Sequence, residues 1–218
     1  LQTAANYAST WCKDNSMLLN ATKSQTINFS LQKKIDCAPI RVNDTEIEDL
    51  SAVKLLGVKF DSHMKFTNHV ESVIDKAKPA VHAIIQLKKI GVTSISLCRF
   101  YQSRVLSILA YAAPSWFPYL SKNDKEKLER LQKLCLRVIL PDIDNYDERL
   151  SYLNLESLSV HLDITCLKYV SKVSSNTDHP LARYQPQLRT TVKTHRKGLA
   201  RPTSRTALCG RSLFHKYF

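Results

Sequence analysis

Apolar positions along the chain change period near residue 66. Before that point the pattern is mixed. Leu1, Ala4, Ala5, Ala8, Trp11 and Cys12 recur at helical spacing until the polar triplet Asp14, Asn15, Ser16 interrupts them. Met17, Leu18 and Leu19 form a short apolar run, and Thr26, Ile27, Asn28 and Phe29 alternate as a strand does. Pro39, Ile40, Arg41 and Val42 lead into Asn43-Asp44, with Glu46 and Ile47 beyond, which predicts a hairpin with a tight turn. Residues 55–60 read as a buried strand with Gly57 inside it, where a glycine marks a bulge or a close backbone approach. Val58 and one of Leu55 and Leu56 are expected in the core.

From Thr67 the period is helical. Asn68 and Glu71 have capping-box spacing, and Val70, Val73, Ile74, Ala77, Val81, Ile84, Ile85 and Leu87 make one apolar stripe. Pro79 should kink this helix and Gly91 should end it. Ser94 can cap a second helix bearing Leu97, Phe100, Tyr101, Val105, Ile108 and Leu109, which ends near Pro114. Ser121 and Asp124 start a third, with Leu128, Leu131, Leu134, Cys135, Val138 and Ile139 on its buried side and Pro141 as its stop. A fourth is expected over 158–173, with Leu158, Leu162, Thr165, Leu167 and Val170 turned inward. The expected fold class is α+β. A small mixed α/β segment (1–66) precedes a mainly α-helical bundle (67–175) and a weakly ordered, partly disordered basic tail (176–218).

A chain of 218 residues can bury a sizeable core. Its net charge of +13 and pI near 9.5 call for an anionic partner, of which nucleic acid is the simplest. No stretch is long and apolar enough to span a membrane and no signal peptide is visible, so no membrane partner is expected. After Asp178 there is no acidic residue, while Arg183, Arg189, Lys193, Arg196, Lys197, Arg201, Arg205, Arg211 and Lys216 follow. Cys12, Cys37, Cys98, Cys135, Cys166 and Cys209 show no C-x-x-C spacing, which fits reduced core thiols in an intracellular protein rather than zinc ligands. No nucleophile elbow or Gly-rich phosphate loop occurs, so neither a hydrolase site nor a metal site is assigned.

Several short motifs follow one another in a definite order: Asn15-x-Met17-x-Leu19-Asn20-x-x-Lys23-Ser24, then Leu55-Leu56-Gly57-Val58-x-x-Asp61, then a helix opening near His69. Tyr101, Tyr111, Ala112, Trp116 and Pro118 follow, then Leu131, Gln132, Lys133 and Arg137, then Leu155-Glu156-Ser157-Leu158. In this order the motifs resemble the reverse transcriptase of non-LTR retrotransposons, jockey-like elements in particular, over almost the whole chain. The resemblance implies the end of the polymerase palm at 1–66, a thumb and post-thumb at 67–175 and a nucleic-acid-binding tail. The whole polymerase would copy element RNA into DNA from a nicked chromosomal 3′-hydroxyl, using Mg2+ held by upstream carboxylates. This chain begins with Leu1 and contains no Asp-Asp pair, so it reads as a fragment that does not polymerise alone and that joins a missing N-terminal polymerase region. No cofactor is assigned to the fragment itself, and a nuclear location follows from the resemblance. Val160-His161-Leu162 departs from the paired arginines usual in these relatives.

The resemblance also gives residues roles. Lys23 would lie near the incoming triphosphate and could protonate the leaving pyrophosphate; the alternative is a solvated lysine at a strand start. Leu56, Gly57 and Lys59 would form the primer grip, with Lys54 reaching phosphates. Lys76, Lys88 and Lys89, with Arg130, Lys133 and Arg137, would face the RNA and DNA of a template–primer duplex, and Arg196 and Lys197 would bind nucleic acid from the tail. Charges at this spacing also mark a solvated helix face. Tyr101, Tyr111, Trp116, Phe117 and Tyr119 are expected to pack between helices rather than stack on bases. The rival reading of the whole is a non-catalytic nucleic-acid-binding helical module, or an inactive transposon remnant.

Overall fold

A computed structural model describes residues 1–29, 38–176, 178–182 and 213–217. They form a mixed α/β protein with two small antiparallel sheets, divided into two compact units, Leu1–Phe66 and Thr67–Phe218. The predicted tail residues Arg196 and Lys197 lie outside the described residues.

In the first unit, helix α1 (Gln2–Asp14) buries no side chain. It is tied to strand β1 (Ile40–Val42) by the Gln2 carboxamide, which donates to the Arg41 carbonyl and accepts from the Arg41 N–H, both at 2.8 Å. Strand β1 pairs with β2 (Thr45–Ile47) around Asn43 and Asp44, both at positive φ, as a two-residue type I′ turn requires. The predicted strand at Thr26 to Phe29 is reduced to one parallel bridge from Thr26 to Asp49.

Residues 55–60 depart further from expectation. Strands β3 (Ala52–Leu55) and β4 (Val58–Asp61) are antiparallel, with Leu55 opposite Val58, so Leu56 and Gly57 are the two turn residues, at φ 47° and 89°. Gly57 therefore sits in a turn and not within a strand. Val58 is buried, but Leu55 and Leu56 are 60% and 84% exposed, so neither leucine is core. Asp61 ends the hairpin: its carboxylate accepts from the backbone N–H groups of His63, Lys65 and Phe66 at 3.0, 3.1 and 2.7 Å.

The second unit is helical. Helix α2 (Thr67–Lys89) continues through Pro79 and buries Val70, Val73, Ala77, Val81 and Ile84, the 3–4 spacing of one helix face. It starts at Thr67, so Asn68 lies in its first turn rather than capping it. Gly91 follows at φ 85°, and Val92 N–H donates to the Leu87 carbonyl, the wide bond of a Schellman ending. Thr93, not Ser94, caps α3 (Ser94–Phe100), which passes through a π-helical turn (Tyr101–Leu106) into α4 (Ser107–Ala110). Helix α5 (Ala113–Trp116) and a 3-10 turn (Phe117–Tyr119) lead to α6 (Lys122–Ile139), α7 (Tyr146–Leu153) and α8 (Leu158–Ser175). A short helix, α9 (Leu213–Tyr217), packs on α8. Lys216 Nζ lies 2.8 Å from the Asp163 carboxylate, and the Tyr217 hydroxyl donates to the same group.

Helix α6 turns a different face inward than the apolar pattern gave. It buries Asp124, Leu128, Gln132, Cys135, Leu136 and Ile139, leaving Leu131, Leu134 and Val138 half-exposed. Gln132 lies inside with its Nε2 donating to the Glu156 carbonyl at 2.9 Å, while its Oε1 is buried without a hydrogen-bond partner among the described residues. In α8 it is Cys166, not Leu167, that turns inward; Leu167 is exposed.

Tyr101, Trp116 and Phe117 are fully or almost fully buried between the helices, while Tyr111 is exposed. Burial pushes the Cys135 thiol up to about 12 and the Cys166 thiol up to about 11, and raises Cys98 as well. These three cysteines are expected to resist thiol reagents in the native protein at neutral pH and to react on unfolding, as read by mass-spectrometric labelling. Equal native and unfolded labelling rates at Cys135 would contradict this packing.

Candidate nucleic-acid interface

The sequence motifs resolve into local structural devices. Asn20 caps a 3-10 turn (Ala21–Lys23), its side-chain oxygen accepting from the N–H groups of Thr22 at 3.0 Å and Lys23 at 3.3 Å. The spacing Asn20-x-x-Lys23 thus places Lys23, which is exposed, at the end of a fixed turn. In the hairpin β3–β4, Lys54 stands directly opposite Lys59, so both side chains leave one face of the ribbon. Leu56 and Gly57 form its tip.

In Tyr111-Ala112-x-x-x-Trp116 the indole Nε1 donates to the Tyr111 carbonyl at 2.9 Å, and Ala112 takes left-handed backbone at φ 51°. In Leu155-Glu156-Ser157-Leu158, Ser157 caps α8 by accepting from the Val160 N–H. Glu129 on α6 completes that cap by accepting from the N–H groups of Leu158 at 3.3 Å and Ser159 at 3.0 Å, where the positive end of the α8 dipole favours a carboxylate.

The predicted cations of the helical unit fall into distinct settings. Lys76 and Lys89 are exposed on α2. Lys88 is half-buried and donates to the Ile139 carbonyl at 3.0 Å, closing the C-terminus of α6 together with Ser94 Oγ at 3.1 Å. Its immediate role is therefore structural. Arg130, Lys133 and Arg137 share the exposed face of α6 and line one hollow of about 530 Å³ with Leu134, Asp144, Tyr146 and Arg149.

Tyr146 and Arg149 were not singled out from the sequence, because the helix that carries them was not recognised. Its signal was present: Asn145 caps α7 by accepting from the Asp147 N–H, and Asp147 and Glu148 fill the first turn. Tyr146 OH donates to Glu129 at 2.5 Å, and the Lys133 ammonium sits 4.9 Å from the Tyr146 ring centroid. Burial, with the Glu129 carboxylate beside it, raises the Tyr146 hydroxyl well above the usual phenol range. Arg149 is only 6% exposed, and its Nε donates to the Leu140 carbonyl at 3.2 Å. The hollow thus holds four cationic side chains and one carboxylate, Asp144.

Among the described residues no group of three or more His, Cys, Asp or Glu could hold a metal ion. No described helix is long and apolar enough to cross a membrane. No family model, curated protein or solved structure matches the chain.

Proposed function

We propose that the chain is the C-terminal part of a non-LTR retrotransposon reverse transcriptase of the jockey-like kind. On this reading 1–66 is the end of the palm, 67–175 the thumb and post-thumb, and 176–218 a basic tail. It holds template and primer, RNA and DNA, for a catalytic region upstream, and acts on chromosomal DNA in the nucleus.

The hairpin β3–β4 carries the reading. Folding alone disfavours a leucine in left-handed backbone and 84% exposed at a type I′ tip, where asparagine or glycine fits better. The same hairpin sets Lys54 directly opposite Lys59 and so gathers two cations on one face. The exposed leucine makes sense if the tip presses on a primer strand, with the cationic face toward its phosphates. Lys23, at the end of its capped turn, would neutralise or protonate the departing pyrophosphate. The apolar face of α1, with Tyr7 74% and Trp11 51% exposed, fits a helix completed by more of the polymerase. With no Asp-Asp pair in the sequence, the chain is not expected to polymerise by itself.

Leu56→Asn separates folding from function. It is expected to raise the stability of the first unit by about 1 kcal/mol and to weaken primer use in the complete polymerase. A variant that gains stability and extends primers normally would remove the hairpin from the grip. For nucleic-acid binding itself, the test is titration of an RNA·DNA hybrid at rising salt. Affinity should fall with a log–log slope of several units, about 0.9 for each phosphate neutralised; a flat response would count against it. The helical unit has a core of its own, which favours as second reading a non-catalytic binding module or inactive remnant.

A further inference from the structure

The hollow lined by α6 and α7 has a feature that binding along a solvated helix face does not require. Arg149 is only 6% exposed, and among the described residues its guanidinium makes one hydrogen bond, from Nε to the Leu140 carbonyl, with no carboxylate within 4.0 Å, so its Nη groups are left to the solvent of the hollow. A largely covered charge without a counter-ion is met only by the water in the hollow or by an added anion. Nearby acids do not relieve it. Glu129 is occupied by Tyr146 OH and the N–H groups of Leu158 and Ser159, and Asp144, though it lines the hollow, makes no ion pair with Arg149. Around the same hollow stand Arg130, Lys133 and Arg137, so three more positive charges crowd a concave surface that Arg149 also lines.

Such an arrangement is stabilised by an anion with several acceptor oxygens. Arg149, held by the Leu140 carbonyl, offers a guanidinium already oriented, and planar guanidinium groups match phosphate oxygens in pairs. The ring of Tyr146 holds the Lys133 ammonium over the hollow.

We propose that this hollow is a phosphate pocket, with Arg149 as its fixed floor and Arg130, Lys133 and Arg137 as its rim, and that it takes one phosphodiester of a nucleic-acid backbone. The choice of a backbone phosphate over a free one rests on the nucleic-acid reading above. The pocket fixes where a strand crosses the helical unit and carries no base information.

Two measurements on the full chain test it. In the first, the arginine Nε–Hε resonances are followed during titration with inorganic phosphate. The Arg149 resonance, assigned with Arg149→Lys, should shift and saturate, and the effect should weaken in Arg137→Gln. An Arg149 resonance that stays put would overturn the pocket. In the second, the variant Arg130→Gln/Lys133→Gln/Arg137→Gln, whose changes are confined to exposed positions, is titrated with an RNA·DNA hybrid. Its salt slope should drop by about 1 and its affinity about tenfold or more. Unchanged slope and affinity, with a wild type that binds, would overturn the backbone assignment while leaving the wider reading intact. A wild type that binds no hybrid but whose Arg149 still answers to phosphate would overturn the nucleic-acid reading and leave a site for free phosphate.

Discussion

Trp116→Ala is expected to destabilise the helical unit by about 4 kcal/mol. Trp116 is completely buried, sits edge-on to the His69 ring at 5.1 Å and the Phe117 ring at 6.1 Å between centroids, and donates its indole N–H to the Tyr111 carbonyl. Truncation removes the largest side chain in the core and leaves a cavity that α5 and α8 can close only in part. It also removes the donor that fixes the left-handed turn at Ala112. Trp116→Phe separates the two effects, since it keeps most of the apolar area and loses the hydrogen bond, at a cost of about 1–2 kcal/mol. Urea unfolding reads both as a lowered midpoint at constant slope. A midpoint that does not move in Trp116→Ala would mean that this tryptophan is not packed as described.

The second large effect belongs to Asp124. Its carboxylate is 3% exposed and accepts from Ser121 Oγ at 2.7 Å, Thr67 Oγ1 at 3.1 Å and Lys127 Nζ at 3.1 Å. One acid thereby joins the start of α6 to the start of α2. Burial works to raise the carboxyl, but the hydrogen bonds from Ser121, Lys127 and Thr67 outweigh it and hold it below the usual range. A carboxyl lowered in the folded state contributes stability at pH values above its unfolded pKa of about 4, and that stability is lost as pH falls through the lowered folded value. Asp163 behaves in the same direction: burial is outweighed by hydrogen bonds from Lys216 and Tyr217. The wild type should therefore lose stability as pH falls from about 5 through the lowered folded values of these two carboxyls. Asp124→Ala should cost about 3 kcal/mol at neutral pH and flatten part of that dependence. If the variant kept the full acid-induced loss, the contribution would have to come from another group.

What could be read from the sequence depended on how far one local pattern decided the outcome. Val70, Val73, Ala77, Val81 and Ile84 repeat at helical spacing in a chain rich in helix formers, and the helix follows. Asn43-Asp44 carries the expected chemistry of its turn. Leu55-Leu56-Gly57-Val58 misled because an apolar run is the ordinary mark of a buried strand, whereas here a leucine occupies a left-handed turn position. The inward face of α6 was rotated because the expectation counted only apolar side chains, and Gln132 goes inside by satisfying a carbonyl on another segment. That partner is 24 residues away and has no local signature. The candidate site divides in the same way. Arg130, Lys133 and Arg137 could be found as a cationic helix face, but α7 has only eight residues, and its two buried ones are Arg149 and Leu150. A charged residue inside so short a helix gives no amphipathic period.

The proposal that these units belong to a reverse transcriptase is best tested on the coding sequence upstream of Leu1. The expected result is an uninterrupted reading frame that encodes Tyr/Phe-Ala-Asp-Asp within about one palm hairpin and helix of Leu1, the carboxylates that two-metal polymerisation requires. A start codon close to Leu1, or a frame broken before any Asp-Asp pair, would contradict it, and only binding would remain to be tested.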